Sequence, residues 1–123
     1  MNPGGLSSIR KNKFKAQRTP CRAGHVHASK REAARCDHLH LLQRGKAITN
    51  LVCEPFYPFI INGQQVKHDG GRRVGYKPDF TYMENGAVVA EDVKSVATVT
   101  EAFVLRAVIF RALYPAIELR IIT

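Results

Sequence analysis

A chain of 123 residues, 45% hydrophobic and 24% charged, has room for one modest core and the balance of an ordinary globular protein. No apolar run approaches the roughly 20 residues that span a bilayer, and the basic, polar start lacks the apolar stretch of a secretory signal, so a cytoplasmic protein with no membrane partner is expected. The net charge of +9 is concentrated: residues 1–46 hold eleven Lys/Arg against Glu32 and Asp37, whereas residues 47–123 hold eight of each sign, and such a block suits an anionic polymer, nucleic acid first.

In chain order, residues 1–12, "MNPGGLSSIRKN", read as a flexible basic arm, which leaves 13–123 as a single domain. Within 13–28, "KFKAQR" and "GHVHA" suit two short strands of a hairpin. Ser29 and Glu32 in "SKREA" form a capping-box pattern, which predicts a helix to about Gln43 with Gly45 as its stop. At about 100° per residue, Glu32 shares an inward stripe with Cys36, Leu39 and Gln43, while Lys30, Arg31 and Arg35 lie to one side or away from it. A carboxylate on that stripe suggests a site, although the cap alone also accounts for it.

"NLVCEPFYPFII" reads as one long strand whose Pro55 and Pro58 argue for a sheet edge or a bulge, and "NGQQVKHDGGRR" reads as a loop. A hairpin follows, with strands near 75–83 and 87–95. Thr98 and Glu101 form a second capping-box pattern and predict a helix over 99–113, ended by Pro115; "IELRII" is a last strand. The order is helix, three strands, helix, strand. It predicts an α/β (α+β) fold with a mixed sheet and flanking helices.

The hairpin carries the chemistry. Asn85-Gly86 is the favoured centre of a two-residue type I′ turn, which pairs Glu84 with Ala87, Met83 with Val88, Thr81 with Ala90 and Asp79 with Asp92. Alternation then puts Asp79, Asp92 and Lys94 on one face and turns Glu91 to the other, beside Phe80 and Tyr82. Two carboxylates directly opposite, with Cβ atoms about 5 Å apart, repel unless something neutralises them. A divalent cation with oxygen ligands does this, and Lys94 lies within reach of a phosphate or a metal-bound water. The alternative is a solvated hairpin with cross-strand Asp–Lys pairs.

Cys21, Cys36 and Cys53 are expected as free thiols. Together with His25, His27, His38 and His40 they are zinc-type ligands, and Cys36 and His40 stand one helical turn apart. No paired C-x₂₋₄-C or H-x₃₋₅-H spacing accompanies them, so His25, His27 and His38 are assigned to a basic, phosphate-facing surface.

The form "PD" at 78–79 followed by "EDVK" at 91–94 resembles the PD-(D/E)xK nuclease superfamily. With "SKREA", Ile48, Asn50-Leu51, "PDFTY", "EDVKS" and the Thr-rich lead into the last helix, the chain is similar over about residues 24–122 to a small phage and prophage family. Its members are described as endonuclease-like or of unknown function. The resemblance implies an αβββαβ core and a Mg²⁺-dependent DNA endonuclease, with Mn²⁺ substituting, acting on duplex or branched DNA in phage replication or recombination. It implies that Asp79, Asp92 and the backbone carbonyl of Val93 hold the metal. Glu32 would complete the site directly or through water, and Lys94 would orient or deprotonate the attacking water. Where relatives carry an aromatic residue this chain has His27, and where many carry Gly after the motif lysine it has Ser95.

Lys30, Arg31, Arg72, Arg73, Lys77 and Arg106 are the expected nucleic-acid contacts: Lys30 and Arg31, with Lys11, Lys13, Lys15, Arg18 and Arg22, as sequence-independent phosphate contacts, Arg72, Arg73 and Lys77 near the cut, and Arg106 within reach of the phosphate. Arg106 falls on a helical stripe with Ala102, Ile109, Phe110 and Leu113, where a snorkelling arginine is the competing reading. The last helix is apolar almost all round, which suits packing on both sides or a homodimer. A non-catalytic nucleic-acid-binding protein with a degenerate nuclease fold, and a zinc-stabilised binding module, are the competing functional readings.

Overall fold

The computed structural model describes residues 18–123, so the basic arm and most of "KFKAQR" lie outside the described residues. A short antiparallel hairpin opens the described chain, β1 (Thr19–Pro20) with β2 (Val26–His27). Helix α1 (Lys30–Arg44) follows, with Ser29 in extended conformation accepting a hydrogen bond from the Glu32 N–H at 3.2 Å. The predicted stop is placed correctly, but Gly45 keeps a φ of −79° and Lys46 takes the left-handed conformation at 64°.

The central sheet has four strands in the spatial order Ile117–Ile122, Ala87–Val93, Phe80–Glu84, Thr49–Cys53. β3 (Thr49–Cys53), β8 (Phe80–Glu84) and β9 (Ala87–Val93) form an antiparallel meander, and β10 (Ile117–Ile122) returns parallel to β9. Helix α2 (Glu101–Leu113) makes that crossover, as a parallel connection requires. The helices cover opposite faces. Ala33, Cys36 and Leu39 of α1 pack on Phe80, Tyr82 and Val89, whereas Phe103, Ala107 and Phe110 of α2 pack on Ala90 and the inner side of β10. The fold is therefore a helix–sheet–helix sandwich with a mixed sheet.

Three expectations need correction. The segment "NLVCEPFYPFII" is not one strand. It bulges between Thr49 and Val52, turns at Glu54 (φ 54°), and resumes as β4 (Tyr57–Pro58) and β5 (Ile60–Ile61), because neither proline donates to a ladder. The loop after it holds strand β6 (Gln64–Gln65), paired with β5 around Asn62-Gly63, and β7 (Gly75–Tyr76), paired with β4. Gly75 is required there: a Cβ would stand 2.4 Å from the Tyr57 carbonyl oxygen.

The second correction concerns α2, which is capped by Thr100 through a hydrogen bond from Phe103 N at 3.1 Å. Thr98 belongs instead to a 3₁₀ turn (Val96–Thr98) that Ser95 caps. The third concerns Arg106 and Ala102, which are exposed; the buried stripe is Phe103, Ala107 and Phe110. Val104, Leu105 and Val108 form an exposed apolar row on the same helix.

Candidate metal-binding acid site

The turn sets the register that the site needs. Asn85 and Gly86 take φ of 51° and 80°, and the ladder runs Glu84↔Ala87, Met83↔Val88, Tyr82↔Val89, Thr81↔Ala90 and Phe80↔Glu91. Asp79 and Asp92 occupy the next position outward and are cross-linked through the backbone. Asp79 Oδ2 accepts a hydrogen bond from the Val93 N–H at 2.7 Å, and the backbone N–H of Asp79 steadies the Asp92 carboxylate. Tyr76 on β7 donates its hydroxyl to Asp92 Oδ2.

Alternation puts Glu91 on the α1 face, where it is fully buried and paired with Arg35: Nε to Oε1 at 2.8 Å and Nη2 to Oε2 at 2.6 Å. Tyr82 donates a further hydrogen bond to it. Glu91 is therefore a structural acid. Arg35, expected away from the inward stripe, turns toward the sheet to meet it.

Glu32 is buried at the start of α1, with its Oε2 2.8 Å from His27 Nδ1. Its backbone N–H serves the cap, but its carboxylate is used elsewhere, so cap and site roles fall on different atoms. His27 is 1% exposed. That corrects its assignment to a phosphate-facing surface: it is a buried partner that orients Glu32. Burial disfavours its imidazolium, but the neighbouring Cys21 thiol and Glu32 carboxylate outweigh this and raise its pKa.

The electrostatics single out the hairpin end. Burial, reinforced by the charge of Glu32, pushes the Asp79 pKa up to about 7 against the pull of the Val93 N–H and Lys94. Burial likewise raises Asp92 to about 6, with Lys94 opposing. Acids that resist ionisation for want of a counter-charge are what a divalent cation satisfies. The donor set is all oxygen, which fits a hard cation such as Mg²⁺. The oxygens are not gathered into a closed cage. Among the described residues, the groups whose ligand atoms all lie within 4.8 Å of one another are His27–Glu32–Glu54 and a Cys/His cluster, and neither includes Asp79 or Asp92.

Glu54 is the acid that sequence reasoning missed. Its left-handed backbone carries it to the site, its N–H donates to the Asp79 carbonyl at 2.9 Å, and its carboxylate meets Lys77 at 3.2 Å. A left-handed glutamate has no spacing signature; the following Pro55 was the available hint of a chain reversal. Tyr76 was also missed, since the Asp92 contact depends on the β4–β7 pairing.

The predicted basic residues do not form one patch of free charges. Arg31 reaches the Lys94 carbonyl at 3.4 Å on the rim of the site, and Lys94 places its ammonium 4.6 Å over the Phe103 ring. Lys77 is paired with Glu54, Arg73 lies 4.8 Å over the Phe56 ring, and Arg72 stands 3.4 Å from His68. Lys30 and Arg106 are exposed. A cleft lined by Arg31, Arg35, His38, Val93 and Ile122 runs beside the hairpin end. A separate cleft, along Arg22, Asp37, His38, His40 and Arg44, contains none of Glu32, Glu54, Asp79 and Asp92.

Fold and site define an α/β sandwich with an uncompensated acid cluster at the open end of a β-hairpin. The chain belongs to the family described as "Protein of unknown function (DUF1064)", whose profile matches residues 11–123. No curated protein and no solved structure matches it. Among the described residues, no helix is long and apolar enough to cross a membrane.

Proposed function

We propose that this protein is a divalent-metal-dependent endonuclease of the PD-(D/E)xK kind that hydrolyses phosphodiester bonds in DNA. The observation that carries the reading is the register: it sets Asp79 beside Asp92 at the hairpin end, both with raised pKa, and neither with an ion-pair partner among the described residues. Asp79, Asp92 and the Val93 carbonyl would hold Mg²⁺ or Mn²⁺, and Glu32, oriented by His27, would complete the site directly or through water. The bound ion would supply a water of lowered pKa and neutralise the charge developing on the phosphate. Lys94, at the same strand end, would orient the attacking water or the phosphate. Arg31 on the rim and the basic segment at 1–46 hold the DNA backbone. A homodimer and a cytoplasmic location belong to this proposal.

Cleavage of supercoiled and branched DNA with Mg²⁺, against the same reaction in EDTA, tests it. Activity is expected to vanish in Asp92→Ala and Lys94→Ala; cleavage that survives both overturns the assignment. One observation favours the reading of a non-catalytic nucleic-acid-binding protein: the Lys94 ammonium rests on Phe103 rather than over the acids. Calorimetric titration separates the two, because only the enzyme requires divalent binding that disappears in Asp79→Asn.

A further inference from the structure

Three cysteines and a histidine far apart in sequence meet on the α1 side of the sheet. Cys21 and His25 flank the tight β1–β2 turn, which is closed by hydrogen bonds from Cys21 N to the His25 carbonyl at 2.8 Å and from Gly24 N to the Cys21 carbonyl at 3.0 Å. Cys36 comes from the inward stripe of α1, and Cys53 from the end of β3. His25 Nδ1 lies 3.6 Å from Cys21 Sγ, 3.6 Å from Cys36 Sγ and 3.5 Å from Cys53 Sγ, and the Cys21 and Cys36 sulfurs are 3.4 Å apart.

Hydrogen bonding does not explain this gathering. One ring nitrogen carries at most one proton, yet three sulfurs surround it at equal range. A disulfide does not explain it either, since 3.4 Å far exceeds an S–S bond of about 2.05 Å and all three cysteines are free. Tetrahedral zinc does. Zn–S bonds of about 2.3 Å and Zn–N bonds of about 2.0 Å place sulfur and nitrogen ligands about 3.5 Å apart across a tetrahedron, and two sulfurs about 3.8 Å apart.

We propose that Cys21, His25, Cys36 and Cys53 form a structural Cys₃His zinc site that ties the β1–β2 hairpin and α1 to strand β3. The pattern escapes a spacing search because its one local pair is C-x₃-H and the fold supplies the other two ligands. A second buried histidine sits against the site. His27 offers a ring nitrogen within 4.8 Å of the Cys21, His25 and Cys36 ligand atoms, a group that does not include Cys53; among the described residues its Nε2 has no hydrogen-bond partner, and its Nδ1 holds Glu32. The zinc site therefore fixes the hairpin that orients Glu32, and it stands whether or not the acid site is a nuclease.

The test is elemental analysis of the full chain purified in reducing buffer, followed by Co²⁺ titration of the chelator-stripped protein. One zinc per chain is expected, with a Co²⁺ spectrum showing tetrahedral d–d bands and thiolate charge transfer of three-sulfur intensity. Cys53→Ser should lower that intensity by a third, and Asp79→Asn with Asp92→Asn should leave it unchanged. Protein that folds metal-free and gives no charge-transfer band on adding Co²⁺ overturns the proposal. A two-sulfur spectrum indifferent to Cys53→Ser overturns the ligand set in favour of His27. Should a cysteine variant fail to fold, X-ray absorption of the zinc-loaded wild type counts the sulfur neighbours directly: three support the site, two or fewer overturn it.

Discussion

Glu91 and Asp92 are consecutive, both buried, and on opposite faces of the same strand, yet they live in opposite electrostatic conditions. On the α1 face Glu91 is clamped by a bidentate arginine and a tyrosine hydroxyl. On the α2 face Asp92 has a tyrosine, a backbone N–H and another acid for neighbours, with Lys94 diverted onto an aromatic ring. A buried acid that brings its own cation belongs to the architecture; a buried acid lacking one is where the proposed metal would bind. Strand alternation alone separates the two roles within one dipeptide.

The largest effect comes from breaking the compensated side. Arg35→Ala leaves the Glu91 carboxylate, fully buried, without its counter-charge. Stability should fall by about 3–5 kcal/mol in denaturant titration, as for other buried pairs that lose one partner. The double variant Arg35→Met with Glu91→Leu should recover most of that loss, since it removes both charges at similar volume. An Arg35→Ala protein as stable as wild type would mean that Glu91 is not a structural acid.

The uncompensated side should respond in the opposite sense. In chelator, Asp92→Asn removes a carboxyl that resists ionisation, so the protein should be as stable as wild type or more so near neutral pH. Mg²⁺ affinity should nevertheless drop about tenfold or more by calorimetry, as when a metal ligand's support is lost. The pH dependence sharpens the contrast. Asp79 and Asp92 titrate near 7 and 6 in the fold, above the ordinary aspartate value of about 3.9. Between those values the folded state holds the extra protons. Their contribution is therefore fully present below about pH 4 and is lost as pH rises through about 7. In chelator the wild-type midpoint should fall over that window more steeply than that of Asp79→Asn or Asp92→Asn. Added Mg²⁺ should stabilise wild type most at the alkaline end. Equal slopes in all three proteins would remove the electrostatic case for the site.

The half of this comparison that was legible in the sequence is the local half. Asn85-Gly86 dictates a two-residue turn, the turn dictates register, and register with period-two alternation places Asp79, Glu91 and Asp92 on their faces. Ser29 likewise announces α1 through a capping interaction three residues long. What sequence reading missed depends on contacts between distant segments. Arg35 reaches Glu91 across 56 positions, Tyr76 reaches Asp92 only because β7 pairs with β4, and Cys21, His25, Cys36 and Cys53 converge from three elements. The broken strand after Cys53 shows a different limit: the two prolines signalled disruption, but the left-handed turn that redirects the chain toward Asp79 falls on Glu54, a residue type that does not favour that conformation.

The smallest expected effect isolates the residue that links the two faces. Glu32 serves α1 through its backbone N–H, which Ser29 Oγ accepts, and serves the acid site through its carboxylate, which His27 holds. Ser29→Ala should cost about 1 kcal/mol of stability, the usual loss for a serine N-cap, and leave Mg²⁺ affinity unchanged. Glu32→Gln keeps the backbone donor and the side-chain volume, so α1 should keep its helicity by circular dichroism. Removing the charge withdraws the largest charge repulsion acting on Asp79, so the Asp79 pKa should move down toward the ordinary carboxylate range, read by the carboxyl resonance in NMR titration. The two substitutions lie three residues apart on one helical turn. If Ser29→Ala shifted the Asp79 titration as much as Glu32→Gln did, the coupling would run through helix position rather than charge, and Glu32 would be a capping residue alone.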